Sequence, residues 1–99
     1  MAAQPCELCD AAELTRRYFE DHECWVADCE ICCVPMVVWK SHDPDPDAET
    51  RERLLGHLGR VAAESFPSHV EWRIDTVMRQ IPDHFHAHAR GPWGFRLPL

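Results

Sequence analysis

The spacing of apolar and polar positions changes along the chain, and each change marks an element. Cys24-Trp-Val-Ala27 and Val34-Pro-Met-Val-Val-Trp39 are short runs of bulky apolar residues. They predict two strands, the second buried on both faces because it has almost no polar side. Cys29-Glu-Ile-Cys-Cys33 would connect them. Upstream, Leu14–Glu20 fits a helix continuing from Ala11 or a strand equally well. From residue 46 to 65 the apolar positions Leu54, Leu55, Leu58, Val61, Ala62 and Phe66 recur at helical spacing. Asp45 can cap this helix and Pro46 suits its first turn, while Gly56 and Gly59 would let it pack closely on a sheet. Asp47/Arg51 and Glu49/Arg53 are favourable i,i+4 pairs on its wet side, and Pro67 ends it. Residues 70–78 and 84–90 then alternate with a period of two around a turn at 80–83, which predicts a terminal hairpin. The order strand, strand, helix, strand, strand implies an α+β fold. An antiparallel sheet would carry one main helix across a face, in a single domain over 1–99. Residues 1–13 would form a cysteine-bearing loop and 91–99 an irregular tail.

Composition narrows the class. Ten basic and 17 acidic residues give a formal net charge of -7, which argues against a sequence-independent nucleic-acid binder. Lys40 is the only lysine, and there is no polybasic run to meet an anionic membrane. The longest apolar stretch, Cys32–Trp39, is far short of the roughly 20 residues that span a bilayer. The N-terminal MAAQPCELCD has neither the basic nor the apolar region of a signal peptide, so a cytoplasmic location is expected. There, six cysteines, four of them paired as Cys6-x-x-Cys9 and Cys29-x-x-Cys32 with Cys24 and Cys33 left over, and seven histidines point to a metal rather than disulfides. Bound zinc would supply folding free energy to so small a core.

The sharpest chemistry is His84-Phe-His86-Ala-His88-Ala-Arg90. On a strand, residues two apart point the same way, so three imidazoles would line one face about 6.6 Å apart, with Phe85, Ala87 and Ala89 toward the core. Neutral imidazoles ligate metal, take protons or attack phosphorus near neutral pH. This segment resembles the His-φ-His-φ-His-φ-φ signature (φ apolar) of the histidine triad family. Val34–His42 resembles that family's apolar strand ending in Lys-x-His, and Cys6-Glu-Leu-Cys9 resembles the cysteine pair of its zinc-containing members. With the intervening helix, the likeness runs over residues 6–90 in order.

The resemblance implies a nucleotide phosphate hydrolase or nucleotidyl transferase in a fold that commonly dimerises, so a homodimer is expected. His86 would be the nucleophile at the α-phosphorus of a nucleotide, through a nucleotidyl-histidine intermediate. His88 would contact the phosphate or leaving oxygen. Cys6, Cys9, His42 and His84 would hold a structural zinc. The chain departs from the family in three places. It has no asparagine, its loop before the triad is only Arg79-Gln-Ile-Pro-Asp83, and the motif ends in Ala89-Arg90. Arg79 and Arg90 are candidate phosphate-facing cations in place of that loop.

A rival metal set is Cys6, Cys9, Cys29 and Cys32, whose spacing fits a four-cysteine zinc ribbon. If residues 24–28 and 34–40 form a hairpin, Cys29 and Cys32 sit at its turn, with His42 roughly 20 Å away beyond the other end. Cys6 and Cys9 cannot serve both ends, and we favour the histidine-containing set. The alternative function is a zinc-stabilised binding or interaction module without catalysis. Cys24 reads as a small buried apolar residue, Trp25, Trp39 and Trp72 as core aromatics, and His57 as surface.

Overall fold

The computed structural model describes residues 17–29, 34–78 and 82–92. Among them, five strands and one helix form an α+β fold: β1 Arg17–Glu20, β2 Cys24–Asp28, β3 Pro35–Trp39, α1 Ala48–Ser65, β4 Arg73–Asp75 and β5 His86–Arg90. The strands make one antiparallel sheet in the order β1-β2-β3-β5-β4. The class expected from the alternation is therefore the one observed. The ambiguous segment upstream of Glu20 resolves as strand over Arg17–Glu20. No helix among the described residues is long and apolar enough to cross a membrane.

The central strands are buried on both faces, as the unbroken apolar run of β3 requires. One face carries Cys24, Val26, Val37, Phe85, Ala87 and Ala89 against Leu54, Leu58, Val61 and Ala62 of α1. The other carries Trp25, Ala27, Met36 and Val38, with Cys29 packed against them. The alternation of each strand thus feeds two separate apolar layers through one sheet.

Local chemistry moves some boundaries. The helix starts at Ala48, not 46. Asp47, rather than Asp45, is its cap, with φ −64° and ψ 168° and a side chain accepting from the Thr50 N–H at 2.9 Å. Asp45 instead donates its backbone N–H to Asp43 Oδ1. Arg53 turns from its expected partner Glu49 to a bidentate pair with Glu23, at 3.1 and 2.9 Å. The planar fork of Arg53 matches two carboxylate oxygens on the β1–β2 turn better than one helical neighbour could. A Cβ at Gly56 would meet nothing within 4 Å, and one at Gly59 would only touch Trp72 at 3.9 Å, so neither glycine is needed for close packing on the sheet. The strand expected over 70–78 shortens to Arg73–Asp75 at the sheet edge, where it has one partner only. The turn expected over 80–83 falls partly, the loop over 1–13 wholly, and the tail over 91–99 mostly outside the described residues.

Candidate functional site

β5 positions the first pair of functional side chains. Ala87 and Ala89 point into the layer under α1 and are fully buried, so His86 and His88 turn to the opposite face. There His86 lies opposite Val38, and His88 lies between Met36 of β3 and Asp75 of β4. The two rings stand edge to face with centroids 5.6 Å apart. His86 Nδ1–H donates to the His84 carbonyl at 2.8 Å. A carbonyl only accepts, so this bond puts the ring proton on Nδ1 and leaves the lone pair on Nε2. Relative exposure is 5% for His86 and 7% for His88. Both therefore sit within the apolar layer of this face, not on an open surface.

Charged groups flank that layer on both edges. Arg90, two residues beyond His88, donates Nε–H to Asp75 Oδ2 at 2.8 Å. Arg73 lies opposite Arg90 in the register and donates to the Gly91 carbonyl at 3.2 Å. On the other edge the Arg17 guanidinium lies 4.5 Å from the Trp25 ring centre, and Lys40 pairs with Glu20 at 2.9 Å. The cations at these edges are largely paired: Arg17 and Lys40 with Glu20, and Arg90 with Asp75.

His84 is the first imidazole of the motif. It precedes β5 and is fully buried, and its ring is engaged elsewhere: Nε2 bonds the Trp39 carbonyl. Nδ1 lies 3.3 Å from His42 Nδ1, and the two rings meet edge to face. Backbone bonds hold the two segments together, Trp39 N–H to Phe85 O at 3.2 Å and Phe85 N–H to Asp43 O at 2.8 Å. Burial pushes the His84 pKa below the ordinary imidazole value. The neighbouring His42 and His86 add to that, against the bond to Trp39. The ring is neutral near pH 7 and able to give a lone pair.

The expected zinc set is thus half described. His42 and His84 are together, whereas Cys6 and Cys9 lie outside the described residues. For the rival set, the β2–β3 hairpin runs from Cys24↔Trp39 to Asp28↔Pro35. Cys29 therefore follows the end of β2 opposite to His42, as the hairpin argument expected, and Cys32 lies outside the described residues. Arg79 does too.

One cluster was not legible in the sequence. Asp21, Cys24 and His57 bring one oxygen, one sulfur and one ring nitrogen within 4.8 Å of one another. Cys24 is buried, as expected of a small apolar residue. Burial first, and the Asp21 carboxylate second, push its thiol up to about 12. His57 is not the plain surface residue expected from the helical stripe: it is half-buried and stacks on Phe19 at 4.5 Å. The only available signal was that His57 borders the apolar stripe of α1, which cannot say which turn the helix will cross.

Comparison with known protein families, with curated proteins and with solved structures finds no match to this chain.

Proposed function

We propose that the protein is a histidine-triad-type hydrolase or transferase of nucleotidyl groups, built around a structural zinc. The observation that carries this reading is the His86 Nδ1–H bond to the His84 carbonyl. It presents Nε2 as a nucleophile with His88 alongside. In the proposed reaction a bond forms between Nε2 and the α-phosphorus as the bond to the leaving group breaks. A proton passes to the leaving group through His88, and in the second step water or an acceptor takes the nucleotidyl group from His86 Nε2 while its own proton returns to His88.

The zinc reading rests on the histidine pair. Two nitrogens about 2.0–2.1 Å from a tetrahedral zinc stand about 3.3 Å apart; the two Nδ1 atoms are at 3.3 Å. His84 Nε2 bonds a backbone carbonyl, the outer-shell arrangement that fixes the tautomer of a ligating imidazole. Cys6 and Cys9 would complete the set. Such a zinc is a cross-link and takes no part in bond making. By holding His84 it would also hold the carbonyl that orients His86.

The burial of both imidazoles favours a second reading, a zinc-stabilised binding module without catalysis. Turnover of a nucleoside phosphoramidate decides between them. The zinc-loaded protein should cleave it, and His86→Ala should lower the rate by at least roughly a thousandfold while zinc content stays the same. If the zinc-loaded protein neither binds nor cleaves nucleotides, the enzyme reading is wrong and the module reading stands.

A further inference from the structure

We infer that Asp21, Cys24 and His57 form a second metal site, separate from the histidine pair at His42 and His84, for a divalent cation of zinc type. Oxygen, nitrogen and sulfur donors together suit a borderline-soft ion. Three protein ligands leave the fourth tetrahedral position to water, the composition of an exchangeable site. The geometry supplies more than proximity. Asp21 Oδ1 accepts the N–H groups of Glu23 and Cys24, each at 2.8 Å. That fixes the carboxylate in the β1–β2 turn with Oδ2 toward His57 Nε2, 3.8 Å away. Stacking on Phe19 sets the plane of the imidazole. Cys24 closes the site from inside, while Asp21 and His57 are partly exposed and give an ion a way in. Ligand atoms around a tetrahedral zinc lie about 3.3–3.8 Å apart, so separations that all fall within 4.8 Å need close by no more than about an ångström. The partly exposed side chains of Asp21 and His57 have room for that movement.

Binding exchanges the Cys24 S–H bond for a metal–sulfur bond and releases that proton to solvent. His57 binds through Nε2 with its own proton on Nδ1. Arg60 opposes this state, because Nη2 donates to His57 Nδ1 at 3.2 Å and so keeps the proton on Nε2. Arg60 is exposed on α1 and can swing away. The ion would tie the β1–β2 turn to the middle of the helix, elements otherwise joined at the surface by the Arg53–Glu23 pair.

Metal titration of the full chain tests this, read by zinc stoichiometry and by cadmium NMR, whose shift reports the number of thiolates. The wild type should show a one-thiolate resonance that disappears in His57→Gln and in Cys24→Ala and persists in Cys29→Ser. Arg60→Gln should tighten binding at this site. His57→Gln is the deciding variant, because its half-exposed position leaves the core intact. If the wild type lacks a one-thiolate resonance, or if His57→Gln binds as many zinc equivalents as wild type with equal affinity, the site does not exist.

Discussion

Replacing Phe85 by alanine tests how the fold holds the triad segment. Phe85 is 1% exposed, sits between His84 and His86, and packs in the layer shared with Leu54 and Leu58. Its backbone bonds both Trp39 and Asp43, so the ring cannot easily move to fill a gap. Removing a buried phenyl ring costs about 3–5 kcal/mol, the lost transfer free energy plus a cavity term. The Arg51 guanidinium, 5.3 Å from the ring centre, loses its partner as well. Domains of this size are stable by about 5–15 kcal/mol. Each kcal/mol moves the melting temperature by about 4–8 °C, so the expected fall is roughly 12–40 °C. Far-ultraviolet circular dichroism melts in constant zinc excess would measure it, because ligand binding shifts apparent stability. Val77→Ala is the control: Val77 is 55% exposed and should change stability by no more than about 0.5 kcal/mol. A loss for Phe85→Ala below about 1 kcal/mol would refute the packing argument, since no well-packed phenyl ring leaves so cheaply.

Asp47→Ala should cost about 1 kcal/mol by removing the helix cap, whereas Asp45→Ala should cost almost nothing; equal losses in denaturant titrations would put the cap elsewhere. Gly56→Ala should stabilise by about 0.8–1 kcal/mol, because the added methyl meets nothing within 4 Å on an exposed helix position; unchanged or lower stability in the same titration would contradict the open space. The hydrogen bond and charge of Arg53 hold the Glu23 pKa below the ordinary carboxylate value. A lowered folded pKa contributes stability above the unfolded value near 4.3, and that contribution is lost as pH falls through the folded value. Melting temperature should therefore drop in acid, and less steeply in Glu23→Gln; equal slopes for the two proteins would show that this pair does not couple folding to pH.

The sequence alone determined β3, α1 and β5 and the faces they present, but left the β1 segment open between helix and strand. The period-two alternation of His84–Arg90 requires that His86 and His88 leave the core layer that Ala87 and Ala89 enter. The apolar run of Val34–Trp39 has no polar side, so it must lie at the centre of a sheet. Helical spacing from Leu54 to Ala62 needs an apolar surface to lie on. These are local properties of side-chain direction and burial, which is why they were readable. The tertiary structure decided what depends on distant partners. Only the crossing of α1 over the sheet brings His57 to Asp21 and Cys24, and Arg53 to Glu23. Only the antiparallel pairing of β3 with β5 sets His42 beside His84, with 41 residues between them in the chain. The pairing also chooses the partner of His84, whose ring bonds the carbonyl at the end of β3 while its own carbonyl orients His86. Spacing along a chain specifies direction, but the partner of a side chain is chosen by the free energy of the whole packing.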